Sequence, residues 1–151
     1  MFFVYEYFFL LRVFLIYDIL NIYKSVKFLI WIYISLKDIK KIVENNPIVI
    51  ATVINSNKPN TVTVMFVKVV SENEVLVTDN FMNQTLKDIK QNNNVAISVW
   101  NKEFKGYKLI GKAKYYNKGQ WLDSVKAMKE NKGLPAKGAI LIKVSKIIPA
   151  C

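Results

Sequence analysis

The sequence predicts a mainly β domain with short helices, an α+β fold in which six antiparallel strands form a small barrel. Three observations support this prediction. Runs of β-branched residues alternate with turn residues, short helical patterns separate some of these runs, and most connections are short turns rather than the long crossovers that parallel strands require. A chain of 151 residues has the size of one domain, so we expect a single barrel at 36–151, preceded in the chain by an apolar extension at 1–35.

The first element of the barrel domain is a short amphipathic helix. The stretch Ser35-Leu36-Lys37-Asp38 has the pattern of a capping box, and apolar residues recur at helical spacing as far as Asn45-Asn46-Pro47. The same periodicity predicts a second helix from about Gln84 to 91–94, and a third at 121–130. We therefore expect three helices, all of them short.

Six β-branched runs bounded by turn residues predict the strands of the barrel. They lie at 48–54, 61–70, 75–78, 95–100, 107–116 and 139–148. Gly111 falls inside the fifth run, and a glycine within a strand is typical of a bulge or a sharp bend at a barrel corner. Polar residues at 55–60 and 71–74 predict turns that make the first three strands antiparallel neighbours.

The first 35 residues differ in composition from the rest of the chain. Phe, Tyr, Ile, Leu and Val dominate them, but charged residues recur every few positions, at Glu6, Arg12, Asp18, Lys24 and Lys27. No uncharged stretch reaches the roughly 20 residues that a bilayer span needs, and the features of a signal peptide are absent. Two interpretations stay open: a membrane-associated helix, or a segment outside the mature protein that results from a start codon assigned too far upstream. We favour the second and expect a cytoplasmic protein, with membrane association if residues 1–35 are expressed.

The composition limits the chemistry that the side chains can perform. The chain has a formal charge of +11, no histidine and a single cysteine, Cys151, at its end. The charge attracts anions such as nucleic acids, acidic lipids or phosphorylated small molecules. Without histidine there is no Ser/His/Asp or Cys/His system, and the commonest zinc ligand is missing. We therefore expect no metal site and infer that a cofactor carries any reaction.

The junction from Thr78 to Asp88 has the strongest local signal for a ligand site. A strand ends where this junction begins, and the helix that follows exposes backbone N–H groups without helical partners. Such a helix start binds phosphate readily. The side chains of Asn83, Gln84 and Thr85 add hydrogen-bond donors, and Lys87 adds positive charge. Taken by itself, however, the pattern fits a plain helix cap better than a ligand site.

Seven short patterns occur in a defined order along the domain. They are Asn46-Pro47, Ile50-Ala51-Thr52-Val53, Lys58-Pro59-Asn60, Asp79-Asn80, Asn83-Gln84-Thr85-Leu86, the stretch 94–100, and Gly106-Tyr107-Lys108-Leu109-Ile110-Gly111-Lys112-Ala113. In this order and spacing they resemble the split β-barrel flavoproteins of the pyridoxamine-phosphate-oxidase-like superfamily, over residues 36–148. The resemblance implies that the six-stranded barrel is of the split form.

The resemblance also implies a site for FMN at the interface of a homodimer. The phosphate would lie near Asn83, Gln84 and Thr85, with Lys87 close to them. The ring would lie against one strand and near three further residues. The strand residues are Thr61, Thr63, Val64 and Met65, and the others are Asp79, Asn80 and Trp100.

The chain departs from the pattern of this family in two places. Many relatives have Arg or Lys where this chain has Gln84 and Thr85, so Lys87 or a lysine of the partner chain would have to compensate. True pyridoxamine-phosphate oxidases also have a C-terminal Arg and His pair that grips the substrate. The corresponding tail here offers only Lys143 and Lys146, so we do not expect that particular activity.

Three functions stay open at this point. The first is an FMN-dependent oxidoreductase or electron carrier of unassigned substrate, in which the flavin performs the redox step. The second keeps the barrel and replaces FMN by the deazaflavin F420, which related split barrels use. The third is a non-enzymatic basic barrel that binds single-stranded nucleic acid through lysines and exposed aromatic residues. The aromatic candidates are Phe104, Tyr107, Tyr115 and Tyr116.

Overall fold

A computed structural model gives the fold and describes residues 34–54 and 57–150, together with Asp18, Asn21 and Ile22, which are helical. The chain divides into two compact units, Met1–Ile34 and Ser35–Cys151, and the architecture below is that of the second. Most of the extension, and with it the interpretation as a membrane-associated helix, lies outside the described residues. Among the helices that the described residues form, none has the length and apolar character to cross a bilayer.

The Ser35–Cys151 unit is built on a single curled antiparallel sheet. Its seven strands follow the order β2-β1-β5-β6-β7-β4-β3. In chain order the elements are α1 (Leu36–Asn45), β1 (Ile48–Val53), β2 (Pro59–Val64), β3 (Val67–Val69), β4 (Glu74–Asp79), α2 (Gln84–Gln91), β5 (Asn94–Trp100), β6 (Gly106–Tyr116), α3 (Gln120–Lys126), a 3₁₀ turn (Lys129–Asn131) and β7 (Gly138–Pro149). The predicted class, a mainly β split barrel with short helices, is confirmed.

The strand count is seven rather than six because the predicted strand at 61–70 bends. Its first part, β2, pairs with β1, whereas its last part, β3, pairs with β4. Only Met65 and Phe66 separate the two parts along the chain, yet β2 and β3 lie at opposite edges of the sheet order. The sheet must therefore curl until its two edges meet at this bend, which produces the split barrel.

The third helix is shorter than predicted. α3 ends at Lys126, and the 3₁₀ turn at Lys129–Asn131 follows it. Met128, between them, has an extended backbone with φ −65° and ψ 122°. The apolar spacing that predicted one helix at 121–130 therefore extends over two elements, α3 and the 3₁₀ turn.

α1 begins and ends where the sequence predicts. The Ser35 hydroxyl accepts a hydrogen bond from the Asp38 N–H at 3.4 Å, and the Ser35 N–H donates to the Asp38 carboxylate at 2.9 Å. The hydrogen bonds from Ser35 lower the pKa of Asp38. The helix ends at Asn45, two residues before Pro47. It packs on β3 and β5, and its buried residues are Leu36, Ile39 and Val43.

Alternation along the strands separates the core of the barrel from its outer face. β1, β5 and most of β6 alternate between buried and more exposed residues. The inward-facing positions are mostly aliphatic, and the largest fully buried strand residues are Ile48, Ile50, Leu76, Ile97, Leu109, Ile140 and Ile142. Aliphatic side chains fill the barrel interior, so a ligand site has to lie at its ends or on its surface.

Gly111 lies at the predicted barrel corner. The register of β6 with β7 shifts between Ile110 and Gly111, which pair with Lys146 and Val144. A Cβ added to Gly111 would overlap the carbonyl oxygen of Lys143. The predicted bulge is confirmed, and glycine is required because the two backbones approach too closely for a side chain.

Replacing Gly111 by alanine is expected to destabilise the domain by about 1–3 kcal/mol, as overpacking of a well-packed site generally does. The added methyl group would force β6 away from Lys143 on β7. Lys112→Ala, at the exposed neighbouring position, is the control and is expected to change stability by less than about 0.5 kcal/mol. Urea unfolding measures both variants, and equal midpoints would show that the corner accommodates a side chain.

Candidate functional site

A cleft opens between the bend that closes the sheet and the loop that follows β4. Its volume is about 240 Å³. Seven apolar and three polar residues line it: Val62, Thr63, Val64, Met65, Phe66, Thr78, Asn80, Phe81, Met82 and Leu134. A mainly apolar slot with a few polar groups is typical of a small-molecule site.

Asp79 holds the loop that forms one wall of this cleft. Its side chain is fully buried. One carboxylate oxygen accepts a hydrogen bond from the Met82 N–H at 2.8 Å, and the other accepts one from the Tyr115 hydroxyl at 3.2 Å. Hydrogen bonds of this kind are what makes a buried carboxylate tolerable. The two donors therefore fix the path of residues 79–82.

Tyr115 reaches Asp79 from β6, on the far side of β7. Gly138 on β7 makes this approach possible, since a Cβ there would overlap the Tyr115 ring. Burial raises the pKa of Tyr115, and the negative charge of Asp79 and its hydrogen bond raise that pKa further. The hydroxyl therefore stays protonated, and able to donate to Asp79, throughout the physiological pH range.

A second buried carboxylate, that of Asp88, anchors α2 at the end of the barrel. Its oxygens accept hydrogen bonds from the Thr52 hydroxyl on β1 and from the Gln84 side-chain amide, both at 2.7 Å. Asn60 on β2 joins this cluster, donating to Thr52 Oγ1 at 3.3 Å and to Thr85 Oγ1 at 3.2 Å. The cluster ties the start of α2 to β1 and β2.

The start of α2 presents the three predicted phosphate residues in three different ways. Asn83 is exposed, and its side chain makes no capping hydrogen bond. Gln84 is exposed, but Asp88 holds its amide; Thr85 is buried, and its hydroxyl oxygen accepts from Asn60. Because the first turn of a helix leaves backbone N–H groups without helical partners, this backbone and the Asn83 side chain are the donors that the site can offer.

Two lysines bring positive charge to this helix start. Lys87, predicted from the sequence, is exposed on the next part of α2. Lys137 donates from Nζ to the carbonyl oxygen of Met82 at 3.3 Å, although it lies 55 residues further along the chain. A cation therefore sits directly beside the loop that leads into α2.

The outer face of β2, β1 and β5 carries no charged side chain within the described strands. Paired residues of antiparallel strands point to the same face, and the outward positions are Val49, Ala51, Val53, Pro59, Thr61, Thr63, Asn94, Ala96, Ser98 and Trp100. The chain has 22 lysines and arginines, and the neighbouring strand β6 presents Lys108 and Lys112 at its exposed positions. Charge is therefore depleted on this face specifically.

Two large apolar side chains mark one end of this uncharged face. The register joins Val64, Ile48 and Val99 across the three strands, so Met65 and Trp100 follow at the same end of the sheet. Their side chains are 55% and 50% exposed. Met65 also lines the cleft, which makes the cleft and the uncharged face continuous.

The structure brings together part of the predicted cofactor set. Thr63, Val64, Met65 and Asn80 line the cleft. Three predicted ring contacts lie outside this lining: Asp79 is buried, Thr61 is further along β2 toward Asn60, and Trp100 is on the uncharged face.

Sequence reasoning missed several residues that shape the site. They are Asn60, Phe81, Met82, Asp88, Leu134 and Lys137. Asn60 had a usable signal, since it belongs to the Lys58-Pro59-Asn60 pattern. An exposed aromatic residue such as Phe81, 71% exposed in a polar loop, is a second kind of signal. For Leu134 and Lys137 there was none, because tertiary folding alone brings them to the cleft.

The aromatic residues considered for stacking on nucleic acid are mostly not available. Phe104 is 77% exposed, but Tyr107 is only 8% exposed. The Tyr115 hydroxyl is bonded to Asp79, and Tyr116 packs against Trp121 with ring centroids 6.4 Å apart. The expectation of four exposed aromatic residues is therefore wrong.

Comparison with known proteins gives consistent matches over the barrel domain. The family model described as pyridoxamine 5'-phosphate oxidase matches residues 36–151. An uncharacterized protein of Methanocaldococcus jannaschii is 36% identical over 117 residues, which cover 74% of this chain and 77% of that protein.

Two solved structures share the fold at low sequence identity. An FMN-binding protein from Syntrophomonas wolfei superposes with a TM-score of 0.65 at 11% identity, covering 91% of this chain and 97% of that one. An F420 reductase superposes with a TM-score of 0.56 at 15% identity, covering 72% and 94%. At these identities the structures demonstrate a common fold.

Removing the Tyr115 hydroxyl by Tyr115→Phe is expected to destabilise the domain by about 1–3 kcal/mol, because the buried Asp79 carboxylate loses one of its two donors. Because folding raises the pKa of Tyr115, the native protein should exceed Tyr115→Phe in free energy of unfolding by a constant amount below about pH 10. This difference should then fall as the pH passes through the raised pKa.

Urea unfolding between pH 7 and pH 11 tests this expectation. Tyr116→Phe is the matched control, because Tyr116 contacts Trp121 and Lys114 through its ring. Equal stabilities of Tyr115→Phe and the native protein at pH 7 would contradict a structural role for this hydrogen bond.

Proposed function

We propose that this chain, which belongs to the pyridoxamine 5'-phosphate oxidase family, is a flavoprotein. It binds FMN between the two copies of a homodimer and acts as an oxidoreductase or electron carrier. The observation that carries the proposal is the mainly apolar cleft between the closing bend and residues 79–82. Met82 lines this cleft and Asn83 follows it at the start of α2. A slot for a ring and a helix start for a phosphate are therefore neighbours.

The size of the cleft supports a site shared by two copies. Its volume of about 240 Å³ is smaller than the roughly 300–1,000 Å³ of complete small-molecule pockets. Met65 lies both in the cleft and beside the uncharged face. A second copy that covers this face would add the missing wall over the ring.

The lining of the cleft favours FMN over F420. Seven of its ten residues are apolar, which suits the dimethyl-substituted benzene ring of FMN. The corresponding ring of F420 carries a hydroxyl group, which costs about 1–3 kcal/mol to bury wherever it does not reach one of the three polar lining residues. F420 is the second candidate because an F420 reductase shares this fold.

The α2 start supports a phosphate site that relies on neutral donors and one nearby cation. The helix backbone and the Asn83 side chain supply the donors. Lys137, held at the Met82 carbonyl oxygen, supplies the charge that Gln84 and Thr85 lack. Asp88 keeps Gln84 in place rather than leaving it to wrap around a ligand.

The residues of the cleft bind and orient a ring, and they transfer no protons. Bound FMN would supply electron or hydride transfer at N5. None of the ten residues that line the cleft has a side chain that titrates near neutral pH. Solvent, the substrate or the partner copy must therefore supply any proton that the reaction needs. The tail that carries an Arg and His pair in the true oxidases carries Lys143 and Lys146 here, so the proposed substrate is not pyridoxamine phosphate.

The uncharged face supports the homodimer. Interface cores are depleted of charged residues, and this face combines small side chains with Met65 and Trp100 at one end. An uncharged surface that ends in two exposed large apolar side chains, in a lysine-rich protein, indicates a contact surface.

Titration of the full chain with FMN and with riboflavin tests the cofactor. FMN binding is expected to shift and structure the flavin absorption band. Asn83→Asp is expected to weaken FMN binding about tenfold, because a carboxylate near the phosphate costs roughly 1–4 kcal/mol, and to leave riboflavin binding unchanged. Asp is as good an N-cap as Asn and its charge suits the helix dipole, so unfolding of α2 would not explain the loss.

Gln91→Glu is the matched control for this titration, since it adds the same charge at the other, exposed end of α2. It is expected to leave FMN binding unchanged. Absence of any spectral change with FMN would refute the proposed cofactor, and displacement of FMN by equimolar F420 would favour the second candidate. An equal loss of FMN and riboflavin binding in Asn83→Asp would place the phosphate elsewhere.

The dimer is tested by Ala51→Lys, which places a charge in the middle of the uncharged face without touching the core. The native protein is expected to sediment as a dimer at micromolar concentration and the variant as a monomer. The variant should also lose FMN affinity, because the partner wall is missing. Asn117→Lys, in an exposed turn, is the control. A monomeric native protein that binds FMN would contradict the shared site.

A further inference from the structure

We infer that residues 131–137, here called the strap, form a wall of the FMN cleft, that Asn80 and Asn131 position this wall, and that Leu134 within it governs which ring the cleft accepts. The inference rests on the proposed function. It also changes the role of Asn80, which the family resemblance places close to the cofactor: Asn80 acts on the ring through the strap and not through its own amide.

Both polar atoms of the Asn80 side chain are used by the strap. Its Oδ1 accepts a hydrogen bond from the Ala136 N–H at 2.9 Å. Its Nδ2 donates to Asn131 Oδ1 at 2.8 Å. Although Asn80 lines the cleft, its hydrogen-bonding groups point to the two ends of the strap, so one side chain fastens both ends to the loop after β4.

These hydrogen bonds leave the two amides a single orientation. The Ala136 N–H can only donate, so the oxygen of Asn80 must face it, and the NH₂ group of Asn80 then faces Asn131. Asn131 must therefore accept this hydrogen bond with its side-chain oxygen. Within residues 34–54 and 57–150, its own Nδ2 is buried and has no hydrogen-bond partner, and the residue is 3% exposed.

A buried, unpaired donor is unfavourable and is rare in native proteins. Here Asn131 turns its oxygen toward Asn80, so its NH₂ group faces away from that hydrogen bond. Replacing Asn131 by an apolar residue would remove the unpaired donor but would also remove the acceptor for Asn80 Nδ2. The arrangement therefore leaves one donor unpaired while it holds the strap in a fixed position. A wall of a binding cleft requires such a fixed position.

Besides Asn80, two hydrogen bonds hold the strap in this path: the Leu134 N–H donates to the Asn131 carbonyl oxygen at 3.1 Å, and Lys137 Nζ donates to the Met82 carbonyl oxygen at 3.3 Å. The strap contains no helix or strand beyond the end of the 3₁₀ turn. Gly133 and Ala136 have positive φ angles of 86° and 43°, and the second is an uncommon conformation for alanine. Ala136 is buried beside Leu76, Val125 and Ala139, which adds an apolar anchor at the C-terminal end of the strap.

Leu134 is the strap residue that lines the cleft. It lies between the two points where Asn80 holds the strap, and it is 38% exposed. Because it lines the cleft together with residues 62–66, its side chain contributes to the width available to a ring. Shortening Leu134 and releasing the strap should therefore have the same effect on the ring.

A double-mutant cycle on FMN affinity tests the inference. Asn80→Ala and Leu134→Ala are each expected to weaken FMN binding about tenfold, a size typical of small changes in an apolar pocket. The double variant is expected to lose about tenfold as well, rather than about a hundredfold, because both changes remove the same wall. Lys132→Ala, at an exposed strap position, is the control and is expected to bind FMN as the native protein does.

Iodide quenching of bound flavin fluorescence gives a second readout that a loss of stability alone would not move. Quenching of the flavin should increase in both single variants to the same degree, because the ring loses its cover. Additive losses of affinity, or a loss in Asn80→Ala with native binding in Leu134→Ala, would overturn the inference while leaving FMN binding intact. A native chain that binds no FMN would instead overturn the proposed function, and the inference with it.

Discussion

The two residues between β2 and β3 impose the constraint on which the rest of the structure depends. Met65 and Phe66 connect strands at opposite edges of one sheet, so the sheet has to curl and meet itself there. The curl brings the loop after β4 alongside the end of β2 and so creates the cleft. It also turns the outer face of β2, β1 and β5 into a continuous surface that reaches the rim of the cleft.

Two buried carboxylates fix the elements that this closure brings together at the site. Asp79 orders the loop through Met82 and Tyr115, and Asp88 anchors α2 to β1. In the part of the chain that the structure describes, hydrogen-bond donors rather than cations satisfy each carboxylate, so these donors determine its orientation. The loop and the helix start consequently have little freedom, and the donors at the α2 start are presented in one arrangement.

Local signals in the sequence were sufficient for most elements. The capping box at Ser35 and the glycine at 111 each depend on near neighbours, and both were predicted. The bend at Met65 was not, because β-branched residues continue on both sides of it and closure of the sheet, a long-range effect, imposes it. The site was predictable along one stretch of chain, 79–87, and on β2. Leu134 and Lys137 reach the site only through tertiary folding, which no local sequence pattern indicates. The cofactor itself stays a proposal.

The uncharged face has a consequence for how two copies would meet. Each chain carries a formal charge of +11, so assembly through this face brings two strongly positive bodies together. Their long-range repulsion falls as ionic strength rises, whereas the apolar contact does not weaken. Added salt should therefore strengthen the dimer, the reverse of its usual effect on contacts between opposite charges. A bound phosphate would relieve the same repulsion, which couples cofactor loading to assembly through charge alone.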